Sequence, residues 1–361
     1  MDTPPDLLTN GSVAAAARAA LTDHAWEALV GGAETETTAH RNRLALDCIA
    51  LRPRVLVGVG DVDPSTTFLG HPLRVPVLLA SIGDARDLTG HGVDDAIATA
   101  SDFGSLAFVA RPRDGSPGPT SAATVMELSA HDGEELLDHQ IDTAERGACP
   151  AVCLNLMPHA QGRRERDPDD LPRMPLQTRD VWRVASQVAG RTRLPVIAKG
   201  VMNAEDAQRA LDHGCVALYV SNYGGRALDH CQATIDVLAE VVGAADGRAE
   251  VIVDGGFMRA TDIVKALAFG AQAVAIGRLQ GLGLAACGAT GLLRVLANLE
   301  EELRICLALL GVTTVGALNR GHLFLDAPPV QLPHDTSAFF RSPPLSASVS
   351  DQRTRSAEGA P

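Results

Sequence analysis

The sequence predicts an α/β fold: one (β/α)8 TIM barrel with an N-terminal helical extension and a disordered C-terminal tail. Two observations carry that expectation. Eight short apolar runs alternate with helical stretches, and near-continuous apolar runs of this length suit strands buried on both faces of a parallel sheet. The 361 residues also accommodate one barrel of ~250 residues with extensions. A doubly wound open sheet is the alternative, and the count of eight favours the barrel.

In chain order, residues 1–70 read as an extension capping the barrel, with helices over 12–45. The barrel itself is placed over 71–325. Its runs are VPVLLAS (75–81), SLAFVA (105–110), TVMELSA (124–130), PAVCLNL (150–156), LPVIAKG (194–200), ALYVSN (217–222), EVIVDGG (250–256) and AVAIGR (273–278). Between them lie amphipathic segments such as AEDAQRALDHG (204–214) and ATDIVKALAFG (260–270), each ending at the glycine that commonly follows a helix. A long amphipathic helix over 288–312 is expected to close the ring. The charged, proline-bearing stretch 162–180 is long for a connecting loop and reads as a lid over the barrel mouth. From 326 to 361 the chain turns rich in Pro and Ser and reads as a disordered tail.

Composition narrows the function classes. The apolar content of 46% supports a large core and excludes wholesale disorder. A net charge of −13 argues against nucleic acid as a partner. Neither a long uninterrupted apolar window nor a basic, apolar leader is visible, so no membrane partner is expected and a cytoplasmic location is. The seven cysteines form no CxxC pair and read as small buried hydrophobes of a reducing compartment. No metal site is visible. The only lysines are Lys199 and Lys265 among 31 basic residues, which marks a surviving lysine as chemically needed.

In a barrel the chemistry collects where strands end. Those ends carry Asn155, Lys199, Ser221, Asp254-Gly255-Gly256 and Gly277-Arg278. Glycine lets backbone N–H groups approach a phosphate, and Arg278 adds a bidentate cation after the last strand. Lys199 stands inside an apolar strand, where an idle ammonium is costly.

These stretches, 194–278 above all, resemble the FMN-dependent α-hydroxyacid oxidases and dehydrogenases that act on glycolate, lactate and mandelate. LRPRVL (51–56), GRRERD (162–167) and GGAETETTAHRNRLA (31–45) are similar to that family too. The resemblance implies a barrel that binds FMN, with Ser81, Ile82, Gly83, Ala110, Glu127, Asn155, Lys199, Ser221, Asp254, Gly255, Gly256, Gly277 and Arg278 lining the cofactor. It implies that Lys199 faces the flavin N1/C2 edge, that Arg226 and Arg164 bind a substrate carboxylate, and that the protein is a homo-oligomer, a tetramer.

The departures from the family pattern matter as much. The family's catalytic His is replaced by Tyr223, and the Asp beside it by Met157. Two substrate-holding tyrosines fall on Ala28 and Ser129, a flavin-contacting Gln on Glu127, and an Arg of the seventh loop on Met258. General-base catalysis works best with a pKa near ~7, and a phenol ordinarily titrates near ~10. The expected function is therefore an FMN-dependent oxidoreductase acting by atypical chemistry on a carboxylate-bearing small molecule, such as one derived from a natural product. Tyr223, Lys199 and Arg226 are its catalytic candidates. A non-redox, isomerase-like FMN enzyme and a catalytically inactive flavin-binding homologue stay open as alternatives, and His131 and His159 are candidate substitutes for the base.

Overall fold

A computed structural model describes residues 7–55, 57–82, 92–110, 119–157 and 180–325. Eight parallel strands close into a barrel: β1 (Val77–Leu79), β2 (Ala107–Ala110), β3 (Thr124–Ser129), β4 (Val152–Asn155), β5 (Val196–Val201), β6 (Ala217–Val220), β7 (Glu250–Val253) and β8 (Ala273–Ile276). Each falls within or beside its predicted run. Every strand pairs with its sequence neighbours, and β8 pairs back onto β1 through Val274–Val77, Ala275–Leu78 and Ile276–Leu79. Closure leaves the barrel sheet no edge.

Alternate residues divide the apolar set into two cores. Leu78, Phe108, Val125, Cys153, Ile197, Tyr219, Ile252 and Ala275 fill the barrel interior, while Leu79, Val109, Met126, Leu154, Leu218, Val253 and Ile276 face the surrounding helices. Both sets are fully or almost fully buried, which is why the strands read as unbroken apolar runs. The floor is closed by a feature the sequence reading omits. A hairpin of Thr66–Phe68 and His71–Leu73 drives Phe68 and Leu73 into the interior core. Its turn, Leu69-Gly70, has φ +48° and +79°, and the Leu69 N–H is held by Glu250 at 2.9 Å.

The N-terminal extension forms helices Asn10–Ala20, Asp23–Val30 and Thr37–Asp47. Thr9 and Thr22 cap the first two with their hydroxyls, the usual remedy for unpaired N-terminal N–H groups. Asn10 reaches Asn298 at 3.0 Å, so the extension is stitched to the C-terminal helix. Ala50–Leu51 also pairs antiparallel with Leu323–Phe324.

One expectation is extended and one corrected. The helical span Arg278–Leu310 begins directly after β8 and is two helices joined at a kink, where Cys287 (φ −164°) and Gly288 (φ +54°) leave helical geometry. Its second part, from Gly288 to Leu310, is the helix expected over 288–312, and the first part, from Arg278, was not anticipated. This span is long and apolar enough to cross a membrane, but its Leu279, Leu282, Leu292, Leu296, Leu299 and Leu303 are buried in the outer core. Not all cysteines are buried: Cys287 is exposed, and Cys48, Cys231 and Cys306 are half-buried. The predicted lid (162–180, save Asp180), the tail 326–361, Gly83, His159 and Arg164 lie outside the described residues.

Candidate active site

Two residues further along five of the eight inward-facing registers, the barrel interior turns polar. Beyond Val125, Cys153, Ile197, Tyr219 and Ile252 come Glu127, Asn155, Lys199, Ser221 and Asp254, a polar layer at the C-terminal mouth. The ladder sets Asn155 opposite Lys199 and Lys199 opposite Tyr219. A bulge follows Lys199. It is centred on Gly200, whose φ is +101° and where an added Cβ would lie 2.4 Å from Met157 Cγ. Only glycine permits that turn with Met157 packed against it.

Lys199 and Glu127 form a buried ion pair, with 3% and 6% side-chain exposure. Lys199 Nζ donates to Glu127 Oε2 at 2.6 Å and to Ser81 Oγ at 3.0 Å. Ser81 itself donates to the same Glu127 oxygen at 2.5 Å, and Asn155 Nδ2 donates to Oε1 at 3.0 Å. Burial acts to lower the Lys199 pKa, but the nearby carboxylates Glu127 and Asp254 outweigh it and hold the ammonium charged. Below this layer the Tyr219 ring lies 5.1 Å from Lys199 Nζ. Asp254 accepts from Ser221 Oγ at 3.0 Å, and its carboxylate and the buried Tyr219 hydroxyl act on each other. Burial raises the pKa of both groups.

The segment after β6 is strained. Tyr223, Gly224 and Gly225 have φ of +58°, +63° and +77°, and a non-glycine residue in this region is uncommon. A Cβ at Gly225 would sit 2.7 Å from the Ala39 nitrogen, so the turn is pressed against the extension. Tyr223 is half-buried at the mouth, its N–H donating to Ser221 Oγ at 3.2 Å. Arg226 donates to the carbonyls of Ala28, Leu29 and Gly31. Arg278 donates to those of Val30 and Gly31, both at 3.0 Å, and Gly224 at 2.8 Å. Two cations thus converge on the C-terminal end of helix Asp23–Val30, where the peptide dipoles favour positive charge. Burial, then the Arg226 charge, pushes Arg278 down to about 9.

The loops after β7 and β8 are adjacent because those strands pair. Gly255 and Gly256 have φ of +105° and +84°, and a Cβ on Gly255 would meet Thr234 Oγ1 at 2.4 Å. Among the described residues no hydrogen bond takes up the N–H groups of Gly255, Gly256, Arg278 or Leu279. Arg43 braces this loop, donating to the Gly256 carbonyl at 2.8 Å and to both oxygens of Asp262 at 2.7 Å. Met258 lies in the outer apolar core. Ile82 borders the cradle, its Cγ2 3.6 Å from a Cβ built on Gly277, and Ala110 is half-buried at the end of β2.

The structure therefore brings Ser81, Glu127, Asn155 and Lys199 into one network, and Tyr223, Arg226 and Arg278 around one strained turn. His131 follows β3, its Nε2 3.2 Å from the Met157 carbonyl. Sequence reasoning missed Arg43, Asp262, Thr234 and Asp229. Only the Arg43/Asp47 spacing carried a signal, as a helical i,i+4 ion pair.

The chain matches the FMN-dependent dehydrogenase family over residues 17–186 and 173–325. It is 34% identical over 343 residues to a peroxisomal (S)-2-hydroxy-acid oxidase of Oryza sativa subsp. japonica, covering 86% of this chain and 94% of that protein. It is 32% identical over 353 residues to an L-lactate oxidase of Nostoc sp., covering 86% and 96%. The solved structure of mandelate oxidase with (S)-2-phenylpropionate superposes with a TM-score of 0.79 at 32% identity, covering 88% of this chain and 98% of that one. The residues present fit FMN. The glycine cradle, the open N-terminus of helix Arg278–Leu310 and the Arg278 guanidinium, whose Nη1 is unpartnered among the described residues, suit one terminal phosphate. The polar layer suits the hydrogen-bonding edge of a flavin. The protein belongs to the FMN-dependent dehydrogenase family, which includes α-hydroxy-acid oxidases, and is an FMN-dependent oxidoreductase.

Proposed function

We propose that this oxidoreductase acts on a carboxylate-bearing small molecule bulkier than glycolate, with Tyr223 handling the substrate proton. The observation that carries this reading is the placement of Tyr223. It is held at φ +58° at the barrel mouth, three residues before Arg226, and strain of this kind, costing ~1–3 kcal/mol, concentrates at functional sites. Arg226 serves as the clamp for the substrate carboxylate, exchanging carbonyl partners for a charge-assisted pair. Ala28 and Ser129 present small side chains, which leaves room for a larger substrate. Met157 stands where the family pattern has its Asp and carries no charge, so the family's imidazole–carboxylate base is not available.

Bound FMN supplies the two-electron acceptor. The chain's own contribution is to orient the carboxylate on Arg226 and to hold or pass one proton at the Tyr223 hydroxyl. General acid–base catalysis of this kind contributes ~10²–10⁴-fold. The test is anaerobic mixing of the holoprotein with a panel of acids while the flavin absorbance is followed. Glycolate, L-lactate and L-mandelate should bleach the flavin poorly, and larger amino-acid-derived hydroxy acids should bleach it faster. Turnover of any of those three at ordinary rates of ~1–10³ s⁻¹ would refute the assignment of Tyr223.

A further inference from the structure

Three donors of the polar layer are engaged by the Glu127 carboxylate. One carboxylate oxygen takes Lys199 and Ser81, and the other takes Asn155. The ammonium of Lys199 is thus paired at 2.6 Å inside the barrel. Among the described residues, the one other ionisable side chain of the polar layer is Asp254. Whether Asp254 carries its proton or not, the three groups together sum to zero or to one negative charge. Arg278 is engaged with carbonyls on the far side of the mouth turn, where it serves the phosphate.

We propose that Glu127 is a positioning residue that tunes the cofactor: by pairing with Lys199 it leaves no net positive charge in the polar layer that meets the flavin ring. Fixed charge near the ring is one of the levers a protein has over flavin electronics. A ring in this environment resists any state that puts a negative charge on it. The reduced flavin is therefore held neutral, taking up two protons with its two electrons. This inference rests on FMN binding at the polar layer and not on the identity of the substrate.

The probe is sodium sulfite, added to the oxidised holoprotein. Sulfite donates its lone pair to the flavin ring and leaves a negative charge there, bleaching the visible band without any turnover. Wild-type protein should bind sulfite weakly. Glu127→Gln, which keeps the size and the Asn155 contact but frees the charge of Lys199, should bind it roughly 10²-fold more tightly. That is the order expected of one unit charge ~6 Å away at an effective dielectric of ~20. Equal sulfite affinity in the two proteins would overturn the proposal. The wild type alone supplies a second reading, valid even if the variant folds poorly. After dithionite reduction at neutral pH its spectrum should be that of neutral reduced flavin, and an anionic reduced spectrum would contradict the inference. Neither readout depends on Tyr223, so a failed substrate assignment leaves both intact.

Discussion

The carboxylate of Asp229 shows how a single side chain joins two distant segments. It accepts from Thr35 N at 3.1 Å, Thr35 Oγ1 at 2.7 Å and Thr38 N at 2.7 Å, capping helix Thr37–Asp47, whose own N-cap, Glu36, makes no such bond. Burial raises the Asp229 pKa, but these hydrogen bonds outweigh it and hold the group below the ordinary carboxylate range. A depressed folded-state pKa gives stability that is present above the unfolded value of ~3.9 and lost as pH falls through the folded one. Asp229→Asn should therefore cost ~1–2 kcal/mol near neutral pH. Urea unfolding should show that difference shrinking as pH falls below ~4. A difference independent of pH would show that the carboxylate charge is not what caps the helix. None of this was legible in the sequence, because the cap reaches across 191 positions to Thr38. The Glu127–Lys199 pair escaped for the same reason: Lys199 stood out at a strand end and Glu127 only through the family resemblance, and their contact follows from barrel closure over 72 positions.

At the scale of elements, the eight strands were legible because each is buried on both faces and so has no polar alternation to blur it. The hairpin under the barrel was not, since its strands are three residues long and its turn is Leu-Gly, without the Asn or Asp that usually marks such turns. The helical segment between β8 and the break at Cys287–Gly288 was also missed, because it follows β8 with no intervening loop. Gly288 sits at φ +54°, ψ −141°, a combination close to the region reserved for glycine, and an added Cβ would stand 3.2 Å from Asp95 Oδ2. Gly288→Ala is expected to destabilise by ~1–3 kcal/mol. Gly243→Ala makes the contrast, since it lies within helix Thr234–Ala245 and a Cβ there meets nothing within 4 Å. That change should stabilise by ~0.5–1 kcal/mol. Urea midpoints at constant slope measure both, and similar shifts in the two variants would contradict the role assigned to the break.

For the whole molecule, the cofactor ties the mouth loops to the barrel. FMN at ~100 times its dissociation constant should add ~2.7 kcal/mol to the stability, seen as a concentration-dependent rise in Tm. Met258 lies where the family pattern has an arginine, so protein purified without added FMN should contain a fraction of apoprotein. Arg278→Leu should abolish the FMN-dependent increment in Tm whatever it does to the baseline. A full increment in that variant would remove Arg278 from the phosphate site. The central claim concerns Tyr223, and flavin reduction reads it most directly. The acid that bleaches the wild-type flavin fastest under anaerobic conditions is mixed with Tyr223→Phe of matched FMN content. The account predicts reduction slower by ~10²-fold or more with flavin binding unchanged; reduction at the wild-type rate would contradict it.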